Sequence, residues 1–177
     1  IWYNITILGM QYYNVVYYIP LLTGLILGVT QYVPEITDKR LKLTLHLPVN
    51  ENKMMLTMSL VGSVMLIVIY GFSLIALVLV SSIYYAKEIT YSMLITVAPW
   101  YLSGLVLYFS SAIIILEPIW KRRILYSFIV LGFIYLLLDD RYFNLYNYSI
   151  YKFAILSLFF FFALLITGYR FKRGATK

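Results

Sequence analysis

The chain has 177 residues, of which 63% are hydrophobic and only 12% are charged. Soluble domains carry about 25% charged residues, so this composition excludes an ordinary soluble domain and indicates an integral membrane protein. The formal net charge of +7 does not indicate a nucleic-acid partner, because the basic residues lie at the ends of apolar runs. With no cysteine in the chain, disulfides, iron–sulfur clusters and thiol chemistry are excluded.

Five apolar runs are candidates for membrane-spanning helices, each of which needs about 20 residues. In chain order they cover residues 15–33, 54–85, 91–116, 124–138 and 150–169. The fourth run is short, and residues 1–14 fit an interfacial segment better than a further span. The sequence therefore predicts an all-α integral membrane protein, with residues 1–177 forming one membrane-embedded domain.

Two spans contain residues with a specific structural meaning. Gly24 and Gly28 in the first span form a small-xxx-small pattern, which permits close helix packing. This pattern is common by chance in membrane helices, and its functional interpretation is a contact with another subunit. Pro99 in the third span frees a backbone carbonyl and predicts a kink.

The loops indicate an orientation. Residues 34–53, 117–123 and 170–177 hold 11 of the 14 Lys and Arg residues, and they fall on one side if the five spans alternate. The positive-inside rule makes that side cytoplasmic, which places the N-terminus outside and the C-terminus inside.

The span cores carry almost no ionisable side chain, which argues against a proton pump, an ion-coupled transporter or a voltage sensor. Glu117, Asp139, Asp140 and Lys152 lie at span ends, and we interpret them as interfacial anchors or helix terminators. His46 is the only histidine and cannot build a zinc site by itself. No hydrolase or nucleotide-binding motif occurs, so we expect a chain that is not catalytic by itself and binds no cofactor directly.

One long charged stretch, PEITDKRLKLTLHLPVNENK at residues 34–53, separates the first two apolar runs. The strict apolar–polar alternation of residues 40–47 is typical of a half-buried strand. Pro34 and Glu35 favour a helix start, and Leu, Lys and Arg are good helix formers. We prefer a short amphipathic helix, and the strand stays open as the alternative.

This stretch resembles a cytoplasmic segment of the ABC-2 type permeases, which are the membrane halves of one class of ATP-driven exporter. The family segment has an acidic residue, a basic or polar stretch, a Leu-rich run, Leu-Pro-Val and then a basic residue that opens the next span. Here the corresponding residues are Glu35, the run DKRLKLTLHL, Leu47-Pro48-Val49 and Lys53. The resemblance covers about 20 residues, and Lys39-Arg40 or their neighbours replace a usual Gly-Thr.

The resemblance implies a coupling helix that docks on a separate nucleotide-binding ATPase subunit, which would hold ATP and Mg²⁺. A second permease copy or a homologue would complete the transporter in the lipid bilayer, and a bacterial cytoplasmic (inner) membrane is implied. The family usually has six spans, so the first would lie upstream of Ile1. The implied polar contacts are Glu35, Asp38, Lys39, Arg40 and Lys42, and the implied apolar and terminal residues are Leu41, Leu43, Leu45, Leu47 and Pro48.

The exported substrate is not identified by any residue. Two other functions fit the same sequence. The chain could be a non-catalytic transmembrane subunit of a larger membrane assembly, such as a respiratory complex. It could also be a scaffold whose segment 34–53 recruits a different cytosolic protein.

Overall fold

The computed structural model describes residues 14–38, 51–138 and 149–172. A short 3-10 turn at Asn14–Tyr17 leads into α1 at Tyr18–Thr37, followed by α2 at Glu51–Tyr84 and α3 at Lys87–Leu116. The last two helices are α4 at Trp120–Leu137 and α5 at Ile150–Lys172. These three ranges contain helices and no strand, and the prediction of an all-α membrane protein is confirmed.

Within the described ranges, four helical stretches are long and apolar enough to cross a membrane: Val15–Thr37, which includes part of the 3-10 turn, Lys53–Tyr84, Lys87–Leu116 and Ile150–Gly168. The predicted fourth span coincides with α4, which is not among them. The 18 residues of α4 include Lys121, Arg122 and Arg123 in the first turn. The apolar remainder is about 20 Å long at 1.5 Å per residue, which is shorter than a typical hydrocarbon core.

The first helix is longer than the sequence predicted. α1 continues through Pro34 to Thr37, so Pro34 and Glu35 end the first helix and do not begin a coupling helix. A proline has no N–H to donate, but the Pro34 carbonyl still accepts a hydrogen bond from the Asp38 N–H at 3.0 Å. The Thr37 hydroxyl donates to the Val33 carbonyl at 3.0 Å and holds the same last turn.

The third helix also continues through its proline. Pro99 is buried inside α3, which runs without a break from Lys87 to Leu116. The proline therefore does not interrupt the span, and the kink at this position stays a prediction.

Successive helices run in opposite directions. The Tyr70 hydroxyl donates to the Pro20 carbonyl at 3.1 Å, and the Gln31 amide donates to the Met58 carbonyl at 2.7 Å, so α1 and α2 are antiparallel. The contacts Ser73–Tyr101 and Ser81–Met93 make α2 and α3 antiparallel. The contacts Phe109–Phe161 and Glu117–Arg170 make α3 and α5 parallel. The contacts Tyr126–Arg170 and Phe133–Phe153 make α4 and α5 antiparallel.

The helix α3 lies at the centre of the bundle. About two thirds of its most apolar stretch is buried (67%), whereas the corresponding stretch of α2 is only 11% buried. Val97, Trp100, Tyr108 and Leu116 of α3 are almost completely inaccessible. The other helices pack around this axis and leave their outer faces to the surroundings.

Helix α1 packs on α3 at backbone distance. A Cβ atom added to Gly24 would overlap the carbonyl oxygen of Gly104, and one added to Gly28 would overlap the hydroxyl of Ser111. The predicted close packing is therefore present, but the partner is a helix of the same chain. The interpretation of Gly24 and Gly28 as a subunit contact is wrong, because α3 already covers both residues.

This contact predicts that Gly24→Ala destabilises the protein. The obstructing atoms belong to the Gly104 backbone, which cannot rotate away, so α1 and α3 must separate. Overpacking of this kind typically costs about 1–3 kcal/mol. We expect a lower midpoint of thermal unfolding in mild detergent, followed by circular dichroism.

The matched control is Gly71→Ala in α2, where an added Cβ meets no atom within 4 Å. Alanine is the better helix former by about 1 kcal/mol, so this variant should be unchanged or more stable. Equal losses of stability in the two variants would contradict the packing explanation.

Candidate functional site

The predicted coupling element lies between the end of α1 and the start of α2. Glu35 is half-buried in the last turn of α1, and Asp38 is exposed immediately after it. The rest of the predicted contact set and His46 lie outside the described residues. Residues 40–47, for which a helix and a strand are the alternatives, lie outside them as well. These undescribed predicted residues are Lys39, Arg40, Leu41, Lys42, Leu43, Leu45, Leu47 and Pro48.

The alternation of the helices brings most of the described basic residues to one end of the bundle, which we call the basic end. Its described basic side chains are those of Lys53, Lys121, Arg122, Arg123 and Arg170. The end of α1 at Thr37 and the start of α2 at Glu51 lie at this same end. The predicted grouping of the basic loops on one side is therefore consistent with the helix directions.

A buried ion pair joins two helices at the basic end. The Arg170 Nη2 atom donates to Glu117 Oε1 at 2.7 Å. The side chain of Glu117 is fully buried, whereas that of Arg170 is 25% exposed. The pair connects the carboxyl end of α3 to the last turn of α5, two parallel helices.

The surroundings of the ion pair are only partly complementary to its charges. Arg170 Nη1 also donates to the Tyr126 hydroxyl of α4 at 3.3 Å. Glu117 Oε2 is buried and has no hydrogen-bond partner among the described residues. A buried carboxylate with a single strong partner depends on that partner, because removing it leaves an uncompensated charge.

Glu117 follows the last residue of α3, as predicted for a helix terminator, but its burial makes the interpretation as an interfacial anchor wrong. Its location just beyond an apolar span gave no sign of burial, since Arg170 lies 53 residues further along the chain. A usable signal does exist in the sequence. An acidic residue and a basic residue end two spans that the alternation makes parallel, so both reach the same membrane depth.

A second arginine closes the end of α3. Arg123 Nε donates to the Glu117 carbonyl at 2.5 Å, and its Nη2 donates to the Ile115 carbonyl at 3.1 Å. The last carbonyls of a helix lack partners within the helix and carry its negative dipole end, so a guanidinium stabilises them. Arg123 thereby fixes the short turn that connects α3 to α4.

Polar groups also connect the first three helices within the apolar region. The Tyr108 hydroxyl of α3 donates to Gln31 Oε1 of α1 at 2.8 Å, and Gln31 Nε2 donates to the Met58 carbonyl of α2 at 2.7 Å. Between α2 and α3, Ser73 and Tyr101 share a hydrogen bond of 2.7 Å. These contacts satisfy groups that are costly to bury alone, and they hold α1, α2 and α3 in register.

The polar side chains of the basic end form ion pairs and hydrogen bonds between helices, and their chemistry does not indicate a metal centre. No group of three or more His, Cys, Asp or Glu residues that could hold a metal ion occurs within residues 14–38, 51–138 and 149–172. Comparisons of the chain with protein-family models, with curated proteins and with solved structures found no match.

The ion pair predicts a large effect for Arg170→Gln. The variant leaves Glu117 buried without a counter-charge, so we expect a loss of about 3 kcal/mol, as for other broken buried pairs. The double variant Glu117→Gln with Arg170→Gln removes both charges and should recover most of that loss. Thermal unfolding of the two variants in detergent measures the difference.

The control is Lys152→Gln, which removes an exposed basic residue from the opposite end of α5. This change should leave stability nearly unaltered, because exposed charges contribute little. If the single and double variants at Arg170 were equally unstable, Glu117 and Arg170 would not be energetically coupled.

Proposed function

We propose that this chain is a membrane-spanning permease subunit of an ABC transporter of the ABC-2 type. In this role it couples ATP hydrolysis by a separate ATPase subunit to the export of a substrate that is not yet identified. The proposal rests on one observation: the segment that resembles the family's coupling motif connects directly to α1 and α2. Glu35 lies within the continuous helix α1, and Lys53 lies within α2.

The packing of α1 supports mechanical coupling. The helix is continuous from Tyr18 to Thr37, so a force applied beyond Thr37 acts on a rigid rod. The rod is held against α3 by close backbone contact at Gly24 and is hydrogen-bonded to α2 through Gln31. A displacement at Asp38 would therefore shift α1 with both neighbours, which is the kind of element movement that transport requires.

The positions of the ionisable side chains favour transport that is driven by a separate ATPase over ion-coupled transport. Within the described residues, the ionisable side chains other than tyrosine lie in the first or last turns of the helices or just beyond them. Ion-coupled transport requires ionisable groups along the pathway. In the proposed mechanism, two ATPase subunits close on bound ATP and Mg²⁺ at the basic end, which is cytoplasmic in this proposal. Their closure displaces the segment 38–50 and switches access across the membrane.

The exposed apolar faces of the helices are compatible with an assembly of several membrane subunits. α2 has 34 residues, and its apolar side chains, such as those of Ile67, Phe72 and Leu79, are mostly exposed. Lipid and a second permease copy cover such a face in the proposed transporter. The same exposed faces also suit a non-catalytic subunit of a larger membrane assembly, which is the second candidate function.

Mass spectrometry of proteins that co-purify with the chain in mild detergent tests the proposal. We expect an ATPase with a P-loop motif to accompany the native chain. The double variant Glu35→Ala with Arg40→Ala should lose this ATPase, because the substitutions remove two charges from the stretch that resembles the family's coupling motif. ATP hydrolysis by the purified complex gives a second measurement.

The matched control is the double variant Lys87→Ala with Glu88→Ala, which removes one charge of each sign at the opposite end of the bundle. This variant should retain the ATPase. A preparation that contains other membrane proteins but no ATPase would refute the permease and favour the assembly subunit. A different soluble protein that is lost only with Glu35→Ala and Arg40→Ala would favour the scaffold.

A further inference from the structure

An apolar groove of about 310 Å³ lies between α3, α4 and α5. Its floor consists of buried residues, and its rim consists of exposed apolar side chains. The floor includes Ile113, Val130 and Thr167, which are at most 7% exposed. The rim includes Phe159 and Ile166, which are more than 60% exposed. The groove therefore opens away from the bundle axis, toward the surrounding lipid.

One end of the groove is polar and positively charged. Arg170 and Tyr126 line it where α4 and α5 reach the basic end. Because Glu117 is fully buried behind Arg170 and the guanidinium is partly exposed, the groove presents the cationic member of the pair. The exposed side chains of Lys121 and Arg122 lie at the same end, in the first turn of α4.

We propose that this groove binds one anionic phospholipid, with an acyl chain along the apolar floor and the phosphate near Arg170. The match in charge supports this occupant. Arg170 lines the groove and is paired with Glu117, so the excess positive charge at this end comes from the exposed side chains of Lys121 and Arg122. Basic pockets between membrane helices bind anionic lipid headgroups, and the Arg170 guanidinium has five N–H donors, more than the two that bind Glu117 and Tyr126.

The shape of the groove also favours a lipid chain over a helix. An α-helix with side chains is about 10–12 Å in diameter, and a volume of about 310 Å³ cannot enclose one. A partner helix would lie across the rim and leave the floor uncovered, whereas an acyl chain can follow it. The site lies on α3, α4 and α5, so it does not depend on the proposed ATPase contact between α1 and α2.

Native mass spectrometry of the purified full chain tests the lipid site. The probes are phosphatidylglycerol, which is anionic, and phosphatidylcholine, which is zwitterionic, with identical acyl chains. We expect the native protein to retain one phosphatidylglycerol in preference to phosphatidylcholine. Ala163→Phe fills the groove and should abolish that retention. Its matched control is Ala76→Phe, the same change at an exposed position of α2.

The double variant Glu117→Gln with Arg170→Gln tests the headgroup contact separately. It leaves the net charge unchanged and removes the guanidinium, so affinity for phosphatidylglycerol should fall about tenfold through the loss of a charge-assisted hydrogen bond to the phosphate. Affinity for phosphatidylcholine should fall less, because its choline already offsets the phosphate charge, so the preference for phosphatidylglycerol should narrow. Thermal unfolding identifies any variant that fails to fold, and the other variant then decides the outcome.

Three results would overturn the proposal. The native chain could retain both lipids equally, which would indicate ordinary lipid contact with no headgroup selection. Ala163→Phe and Ala76→Phe could have the same effect, which would place the bound lipid elsewhere. Ala163→Phe could instead convert a dimer into a monomer, which would identify the groove as an interface between two copies.

Discussion

The close contact between α1 and α3 is the constraint on which the arrangement of the other helices depends. The backbones can approach only because Gly24 faces Gly104, where neither residue has a side chain. At that distance, Tyr108 reaches Gln31, and Gln31 reaches the backbone of α2. In a membrane, where lipid is as apolar as the helix surfaces, such packing and hydrogen bonding replace the hydrophobic effect as the source of association. This contact buries one side of α3, and α4 and α5 pack on the rest of it.

The second constraint is electrostatic and acts at one end of the bundle. Arg170 neutralises Glu117, and Arg123 stabilises the last carbonyls of α3. Both arginines bind groups at the junction of α3 with α4. This end of the bundle therefore has a defined structure next to the segment that we propose to bind the ATPase. The lipid site that we infer uses the outer side of Arg170. One residue would thus support the fold and select the headgroup.

The positions of the helices were predictable from the sequence because a membrane span is a local signal. Each apolar run was found where the structure has a helix, to within a few residues for α2, α3 and α5. The end of α1 was misplaced because Pro34 and an acidic neighbour fit both a helix start and a last turn. The choice depended on hydrogen bonds formed by residues 37 and 38. Likewise, three basic residues made α4 less apolar than its central run suggested.

The candidate site was less predictable because its partners are distant in the chain. The glycine pattern correctly indicated close packing, but no local feature identified α3 as the partner. The alternation of the spans indicates that Glu117 and Arg170 lie at the same membrane depth, but only the folded bundle shows that they are in contact and that Glu117 is buried. For the segment 39–50, the residue pattern and the family resemblance carry the functional proposal, and the structure adds where its two ends are attached.

The Glu117–Arg170 pair also has a consequence for biogenesis. A ribosome delivers α3 to the membrane before α5, so the carboxyl group of Glu117 must wait for its counter-charge while the last helix is still being made. During that interval the group must stay in contact with water, since an isolated carboxylate in hydrocarbon is too costly. Insertion of α5 is therefore the step that supplies Arg170 and allows Glu117 to become buried. A nascent chain that stops short of Arg170 therefore leaves the Glu117 carboxylate without its counter-charge.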